Sequence, residues 1–256
     1  MAESIVVERA SKRFTMQYTR TIKQMSIAAL RGQKLSDSFL AVNDVSFKVE
    51  QGESIGLMGL NGSGKSTLLK LISGVMRPDQ GSVLTRGRIA GLIAAGAGFH
   101  PQLTGRENLF LNAAILGMSE AETKRKFDQI VDFADVGKFL ETPVGHYSSG
   151  MSARLGFAVA AFAESDIFLA DEVLAVGDRP FKRKCMARMN EIKREGRTLF
   201  YVSHAPGSVR KMCERALVLV DGKLGFDGPV NEGIHFLKYD DADGPDQDED
   251  DLGADI

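Results

Sequence analysis

The run Gly59-Leu60-Asn61-Gly62-Ser63-Gly64-Lys65-Ser66-Thr67 carries the most specific chemistry legible in this 256-residue chain. Its spacing is that of a Walker A phosphate-binding loop. Glycines let successive backbone amides turn inward around phosphate oxygens, and a helix beginning at the loop's end adds the positive pole of its dipole. Lys65 is then placed to reach the β- and γ-phosphates of a nucleotide, and the Ser66 hydroxyl to ligate Mg²⁺. A Gly-rich turn by itself is a weaker signal. Here the strand-like residues 54–58 precede the run, and a helical pattern of Leu68, Leu69, Leu71 and Ile72 follows it, as the mechanism requires.

Three further groups complete a nucleotide-hydrolysing set, each weak alone. Ile167-Phe168-Leu169-Ala170-Asp171-Glu172 is an apolar strand ending in two carboxylates. Such a strand delivers Asp171 to a metal at the carboxyl edge of a sheet. Glu172 would polarise the attacking water as general base. An apolar strand ending in Asp-Glu is often only a strand and its cap, so the reading depends on the loop at residue 59. His204 ends another strand, Thr198-Leu199-Phe200-Tyr201-Val202-Ser203-His204, where a neutral imidazole could hydrogen-bond the γ-phosphate. A lone strand-end histidine is ordinarily structural, as we read His146 and His235. Tyr147-Ser148-Ser149-Gly150-Met151 precedes a helix expected from Ser152, and in isolation is a plain helix-initiating turn.

Bringing these groups together requires strands that alternate with helices. Residues 4–9 and 41–49 alternate enough to read as strands; residues 54–58, 167–170, 198–202 and 216–220 read as short buried ones. Asp221-Gly222 predicts a hairpin returning residues 224–226. Residues 100–165 read as largely helical, with capping-box spacing at Thr104/Glu107 and at Ser119/Glu122. The alternation predicts an α/β chain with a mainly parallel, covered sheet. Residues 15–38 read as an inserted polar stretch, with Arg20, Lys23, Arg31 and Lys34 against Asp37, and a loosely amphipathic helix over residues 22–30.

An apolar fraction of 43% and a charged fraction of 26% exclude a wholly disordered, collagenous or polytopic membrane chain. The net charge of −2 hides an asymmetry. Nine acidic residues and no Lys or Arg stand between Asp240 and Ile256, leaving the preceding body at +7. This tail is expected to be disordered. Cys185 and Cys213 fit neither a metal spacing nor a disulfide framework, as expected of reduced thiols. No secretory leader or membrane-spanning stretch is expected; residues 155–163 are too short to cross a bilayer.

With these residues assembled, the chain resembles the ATP-binding-cassette (ABC) ATPases over residues 1–238. The resemblance implies an α/β P-loop core with a mainly parallel sheet, an antiparallel β subdomain, and an inserted helical subdomain over about residues 96–162. Residues 239–256 are left as the acidic tail. Tyr147-Ser148-Ser149-Gly150-Met151 is similar to the Leu-Ser-Gly-Gly-Gln signature, and Leu174-Ala175-Val176-Gly177-Asp178 to the loop after the Walker B strand. His204 is similar to the switch histidine, and Phe14 to the aromatic that stacks on adenine, with Tyr18 a second candidate. The resemblance implies ATP and Mg²⁺, and a head-to-tail dimer in which Ser148, Ser149 and Gly150 face the nucleotide on the partner's Lys65. One departure stands out. Where the family places a Gln before the helical subdomain, Ala94 and Ala95 stand, and Gln102 falls too late, so that role is unassigned.

Within the family, residues 15–38, the stretch Gly96-Ala-Gly-Phe-His-Pro-Gln-Leu-Thr-Gly-Arg-Glu-Asn108, and Asp171-Glu-Val-Leu-Ala-Val-Gly-Asp178 are similar to the ATPase subunits of O-antigen, capsule, teichoic acid and related glycan exporters. That implies two copies of a transmembrane permease, a lipid-linked glycan as cargo, and a peripheral place on the cytoplasmic membrane face. An acidic tail where some members carry a glycan-binding β-sandwich implies export without reading the glycan's end. The alternatives are an ABC subunit for a different exported substrate and a soluble ABC ATPase acting on nucleic acid or ribosomes. One Walker A run, no heptads and scattered Lys and Arg argue against the second, and no nucleic-acid partner is expected. A subunit with little hydrolysis is disfavoured by Glu172 and His204.

Overall fold

The structure is a computed structural model and describes residues 2–17, 36–91, 98–171, 178–203 and 205–237. Glu172, His204, Tyr18, Ala94, Ala95, residues 174–177, the expected helix over 22–30 and the acidic tail lie outside the described residues.

Six strands form the central sheet in the order β5-β6-β7-β3-β8-β9. They are β3 (Ser54–Met58), β5 (Ile89–Gly91), β6 (Ile167–Ala170), β7 (Thr198–Val202), β8 (Arg215–Val220) and β9 (Lys223–Pro229). All neighbours run parallel except β9 against β8. The inner strands β3, β6 and β7 are buried at every residue because both faces are covered, whereas edge strand β9 alternates between exposed and half-buried positions. The β8–β9 connection is the expected Asp221-Gly222 turn. Both residues have positive φ, 48° and 78°, as a two-residue type I′ turn demands.

Alternate residues of the strands feed two separate cores. Ile55, Leu57, Ile167, Leu169, Phe200, Val202, Leu217 and Leu219 pack against Leu68, Leu69, Leu71 and Ile72 of α1 (Lys65–Ile72) and against a second sheet. That sheet is antiparallel, ordered β2-β1-β4 from β1 (Glu3–Gln17), β2 (Ser36–Glu50) and β4 (Gln80–Thr85). The opposite face, with Met58, Phe168, Ala170, Leu199, Tyr201 and Val218, packs on helices. These are α2 (Gly105–Ile115), α3 (Glu120–Ala134), α4 (Ser149–Phe162), α5 (Arg179–Arg194), α6 (Pro206–Met212) and α7 (Val230–Phe236).

Three local expectations change. Strands β1 and β2 continue well past residues 9 and 41, with Phe14 paired to Phe39 and Gln17 to Ser36. The ends of the polar stretch are therefore ladder: backbone pairing between adjacent strands persists where neither face has a core to show in the side-chain pattern. Helix α4 starts at Ser149 rather than Ser152, because the Ser148 hydroxyl accepts from the Met151 amide and makes Ser148 the N-cap. Thr104 and Glu107 form the full reciprocal capping box. Ser119 accepts from the Glu122 amide but receives nothing back, since the Glu122 carboxylate is taken by Arg88 at 2.8 Å and by the Glu164 amide at 2.9 Å.

Candidate nucleotide site

The phosphate loop leaves β3 at Met58 and enters α1 at Lys65. Gly64, the N-cap, has φ +103°, and a Cβ there would run into the Ala41 carbonyl of β2. A Cβ on Gly59 would meet the Leu219 carbonyl of β8 and, at 2.6 Å, the Ser63 hydroxyl. The loop is thus wedged between two strands. Its register is held by the hairpin turn: the Gly222 amide donates to the Ser63 carbonyl at 3.1 Å, and the Asn43 amide to the Gly222 carbonyl at 2.8 Å.

That wedge shapes an anion cradle. Among the described residues no side chain caps the amino end of α1, and no acidic residue stands in its first turn. The buried Ser63 hydroxyl has no hydrogen-bond partner among the described residues, and nothing lies close over Gly62. The Lys65 ammonium, almost fully buried, donates to the carbonyls of Gly59 at 2.6 Å and Leu60 at 3.0 Å. Asn61 and Ser66 are exposed and Thr67 half-buried. Backbone amides, a helix pole and a poised cation suit a polyphosphate.

Asp171 follows β6 directly and is half-buried. In the order β6-β7-β3, the strand separating it from the phosphate loop is β7, which pairs Tyr201 with Ala170 and Val202 with Leu57. The carboxyl ends of three adjacent parallel strands therefore carry Asp171, the approach to residue 204, and the loop. This is the edge where sheets of this kind bind ligands.

Other expected residues stand on other elements. Ser148, Ser149 and Gly150 open α4 on the helical unit; the first two are exposed. Asp178 caps α5, its Oδ1 accepting from the Phe181 amide at 3.1 Å, and its Oδ2 lies 3.0 Å from Arg154. Phe14 is half-buried on β1 and stacks on Phe39, ring centroids 5.8 Å apart. Phe39 is 47% exposed and lies two residues before Ala41, whose carbonyl crowds Gly64 of the loop.

Sequence reasoning put Ala41 and Asn43 in a strand and Gly222 in a turn but missed their contacts around the loop, which run through backbone atoms and leave no side-chain signal. It also passed over Asn108, fully buried, whose amide nitrogen donates to the carbonyls of His100, Leu103 and Thr104 and whose oxygen accepts from the His100 amide. A polar residue on the buried face of a helix was the available clue. Cys185 and Cys213 are buried free thiols. Among the described residues no helix is long and apolar enough to cross a membrane.

A three-layered α/β fold with a phosphate loop at the sheet's carboxyl edge defines a P-loop nucleotide-binding protein. The same fold is found in the ATP-binding cassette MJ0796, solved as a dimer bound to ADP and Pi, which superposes with a TM-score of 0.71 over 88% of this chain and 98% of that one, at 22% identity. The ABC transporter family profile matches residues 42–175. The ABC transporter protein AbcA of Aeromonas salmonicida is 47% identical over 197 residues, 77% of this chain and 64% of that one. The O-antigen export system ATP-binding protein RfbB of Klebsiella pneumoniae is 44% identical over 209 residues, 82% of this chain and 83% of that one. The chain belongs to the ABC transporter family and to its ATP-binding cassettes. It spans less than two thirds of the length of AbcA and more than four fifths of that of RfbB.

Proposed function

We propose that this chain is the ATP-hydrolysing subunit that powers export of a lipid-linked polysaccharide through a separate transmembrane permease, working at the cytoplasmic membrane face. The observation carrying the ATPase part is the cradle of residues 59–67, with the buried Lys65 ammonium and the partnerless Ser63 hydroxyl at an uncapped helix end. Support for the cargo is the export named for RfbB, together with the match over four fifths of both chains.

In this reading Lys65 and the loop amides bind the phosphates, and Phe14 stacks on the base. The donor set Ser66 and Asp171, a hydroxyl and a carboxylate at the sheet edge, fits Mg²⁺, which when bound would neutralise phosphate charge and orient the γ-phosphoryl group. Glu172 accepts a proton from water as the water oxygen bonds to the γ-phosphorus and the bond to the ADP oxygen breaks. His204 holds that water and the γ-phosphate in line. Ser148, Ser149 and Gly150 contact the nucleotide of a second copy, where the amino pole of α4 faces an anion. ATP stabilises the closed dimer, hydrolysis releases it, and the permease converts the difference into movement of the glycan.

The decisive comparison is Glu172→Gln against the unaltered chain. The variant is expected to bind ATP and dimerise on it while losing steady-state hydrolysis. Undiminished hydrolysis would remove Glu172 as the base. Failure of the unaltered chain to co-purify with a membrane permease encoded beside glycosyltransferases would remove the export reading.

A further inference from the structure

Two separate stretches of the helical unit are laced together by their backbones. The amides of Gly105 and Arg106, which open α2, donate to the carbonyls of Thr142 at 3.1 Å and Leu140 at 3.0 Å. In return the Val144 amide donates to the Leu103 carbonyl at 2.9 Å, and the Gly145 amide to that of Pro101 at 2.8 Å. Tyr147 closes the joint. Its half-buried ring packs on the helical core, and its hydroxyl donates to the Phe139 carbonyl at 2.8 Å, an oxygen that also accepts from the Thr142 amide. Burial and the nearby Glu141 charge push the phenol above its usual range, so it stays a donor at neutral pH.

Two glycines record how close the stretches lie. Neither Gly105 nor Gly145 has a left-handed φ, so backbone conformation does not call for glycine at either place. What excludes a side chain is the joint. A Cβ on Gly105 would collide with the Tyr147 hydroxyl and stand 3.0 Å from the ring carbon that bears it. One on Gly145 would stand 2.8 Å from the Pro101 carbonyl oxygen. Ser148, the N-cap of α4, follows Tyr147 directly. The anchored phenol and the Tyr147 amide, which donates to the Val144 carbonyl at 2.9 Å, therefore fix the chain by side chain and backbone at once as it enters α4.

We propose that Tyr147 is a positioning residue for hydrolysis. Held between the Phe139 carbonyl and the bare backbone of Gly105, its hydroxyl sets the direction in which Ser148, Ser149 and Gly150 are offered to a second copy's phosphate. The inference rests on the role given above to those three residues and assigns their alignment to one oxygen atom outside them.

The test uses the full chain and four variants: Tyr147→Phe, Gly105→Ala, the two combined, and Glu141→Gln. Tyr147→Phe removes one oxygen and keeps the packed ring. Its ATP Kd, measured on protein too dilute to pair, is expected to stay within about twofold and its Tm within about 3 °C. At saturating ATP it is expected to need roughly tenfold more protein to reach half-maximal turnover, since one lost hydrogen bond weakens two sites in a symmetric pair. A merely structural tyrosine would move Tm and leave that concentration alone. Gly105→Ala is expected to raise the same concentration by driving the hydroxyl off its acceptor. With the oxygen gone, the added methyl meets only the ring edge, so the combined variant is expected to match Tyr147→Phe within about twofold. Glu141→Gln removes an exposed ion pair with Arg106, 2.8 Å long, that bridges the same stretches, and is expected to leave the concentration within about twofold. An unshifted concentration in Tyr147→Phe overturns the inference, as do an equal shift in Glu141→Gln and losses that multiply in the combined variant. Should Gly105→Ala fail to fold, Tyr147→Phe against Glu141→Gln carries the test. Turnover per molecule of the unaltered chain that is constant from nanomolar to micromolar protein overturns the role given to Ser148–Gly150, and with it the inference. No turnover at all overturns the ATPase reading.

Discussion

The Lys65 ammonium is folded back on its own loop, 2.6 Å from the Gly59 carbonyl and 3.0 Å from that of Leu60. Both acceptors are neutral, and a phosphate oxygen brought into the cradle is a charged one. A bond in which both donor and acceptor are ionised adds charge–charge attraction, so a nucleotide phosphate is a stronger acceptor for this ammonium than either carbonyl.

Lys65→Ala should therefore weaken ATP binding more than it weakens the fold. Loss of charge-assisted hydrogen bonds worth about 1.5–3 kcal/mol predicts a Kd raised roughly 10- to 100-fold in calorimetric titration. A Kd within about twofold of the unaltered chain would contradict the assignment.

Gly64→Ala and Gly62→Ala separate two kinds of glycine in one loop. Both residues have positive φ, +103° and +83°, so each alanine pays the left-handed backbone penalty of about 1–2 kcal/mol. At Gly62 the added methyl enters open space, while at Gly64 it strikes the Ala41 carbonyl. Thermal unfolding should show Gly64→Ala lower in Tm than Gly62→Ala by at least about 5 °C. Equal values would mean that β2 does not wedge the loop.

Glu122 supplies a pH-dependent prediction. Burial pushes its carboxyl upward, but the hydrogen bonds from the Arg88 guanidinium and the Glu164 amide, with the Arg88 charge, outweigh that and hold it below the usual glutamate range. A depressed carboxylate contributes stability above its unfolded pKa, about 4.3, and loses it as pH falls through the folded value. Glu122→Gln should cost about 3 kcal/mol in urea unfolding at pH 7, a cost that shrinks as pH drops below about 4. A cost independent of pH would show that the charge of Glu122 is not what holds the junction.

The two thiols should be silent in the folded protein. Burial pushes Cys185 and Cys213 up to about 12, so almost no thiolate exists at neutral pH. Ellman's reagent at pH 7.5 should label neither in the native chain and both in denaturant. Labelling of one thiol at the rate of a free cysteine in the native chain would mean that the structure around it opens locally.

Much of the architecture was legible because it is decided between near neighbours. The Gly59–Thr67 loop between a strand and a helix, the Thr104–Glu107 capping box, the Asp221-Gly222 turn and the apolar runs of β3, β6 and β7 each follow from contacts within a few residues. The same reasoning failed at Glu122: its spacing from Ser119 was right for a capping box, but a half-buried arginine 34 residues earlier in the chain outcompeted the local amide.

The sequence by itself determined which residues could bind and cleave a phosphoanhydride, and the order of elements that carries them. Only the tertiary structure decided what surrounds them: the Ala41 carbonyl against Gly64, the reach of β1 and β2 to Gln17 and Ser36, and the joining of α3, α4 and α5 at Arg154. The physical reason is range. Caps, turns and strand periodicity depend on backbone geometry over a few residues, whereas these contacts join residues far apart in the chain and are chosen by how two cores pack on opposite faces of one sheet.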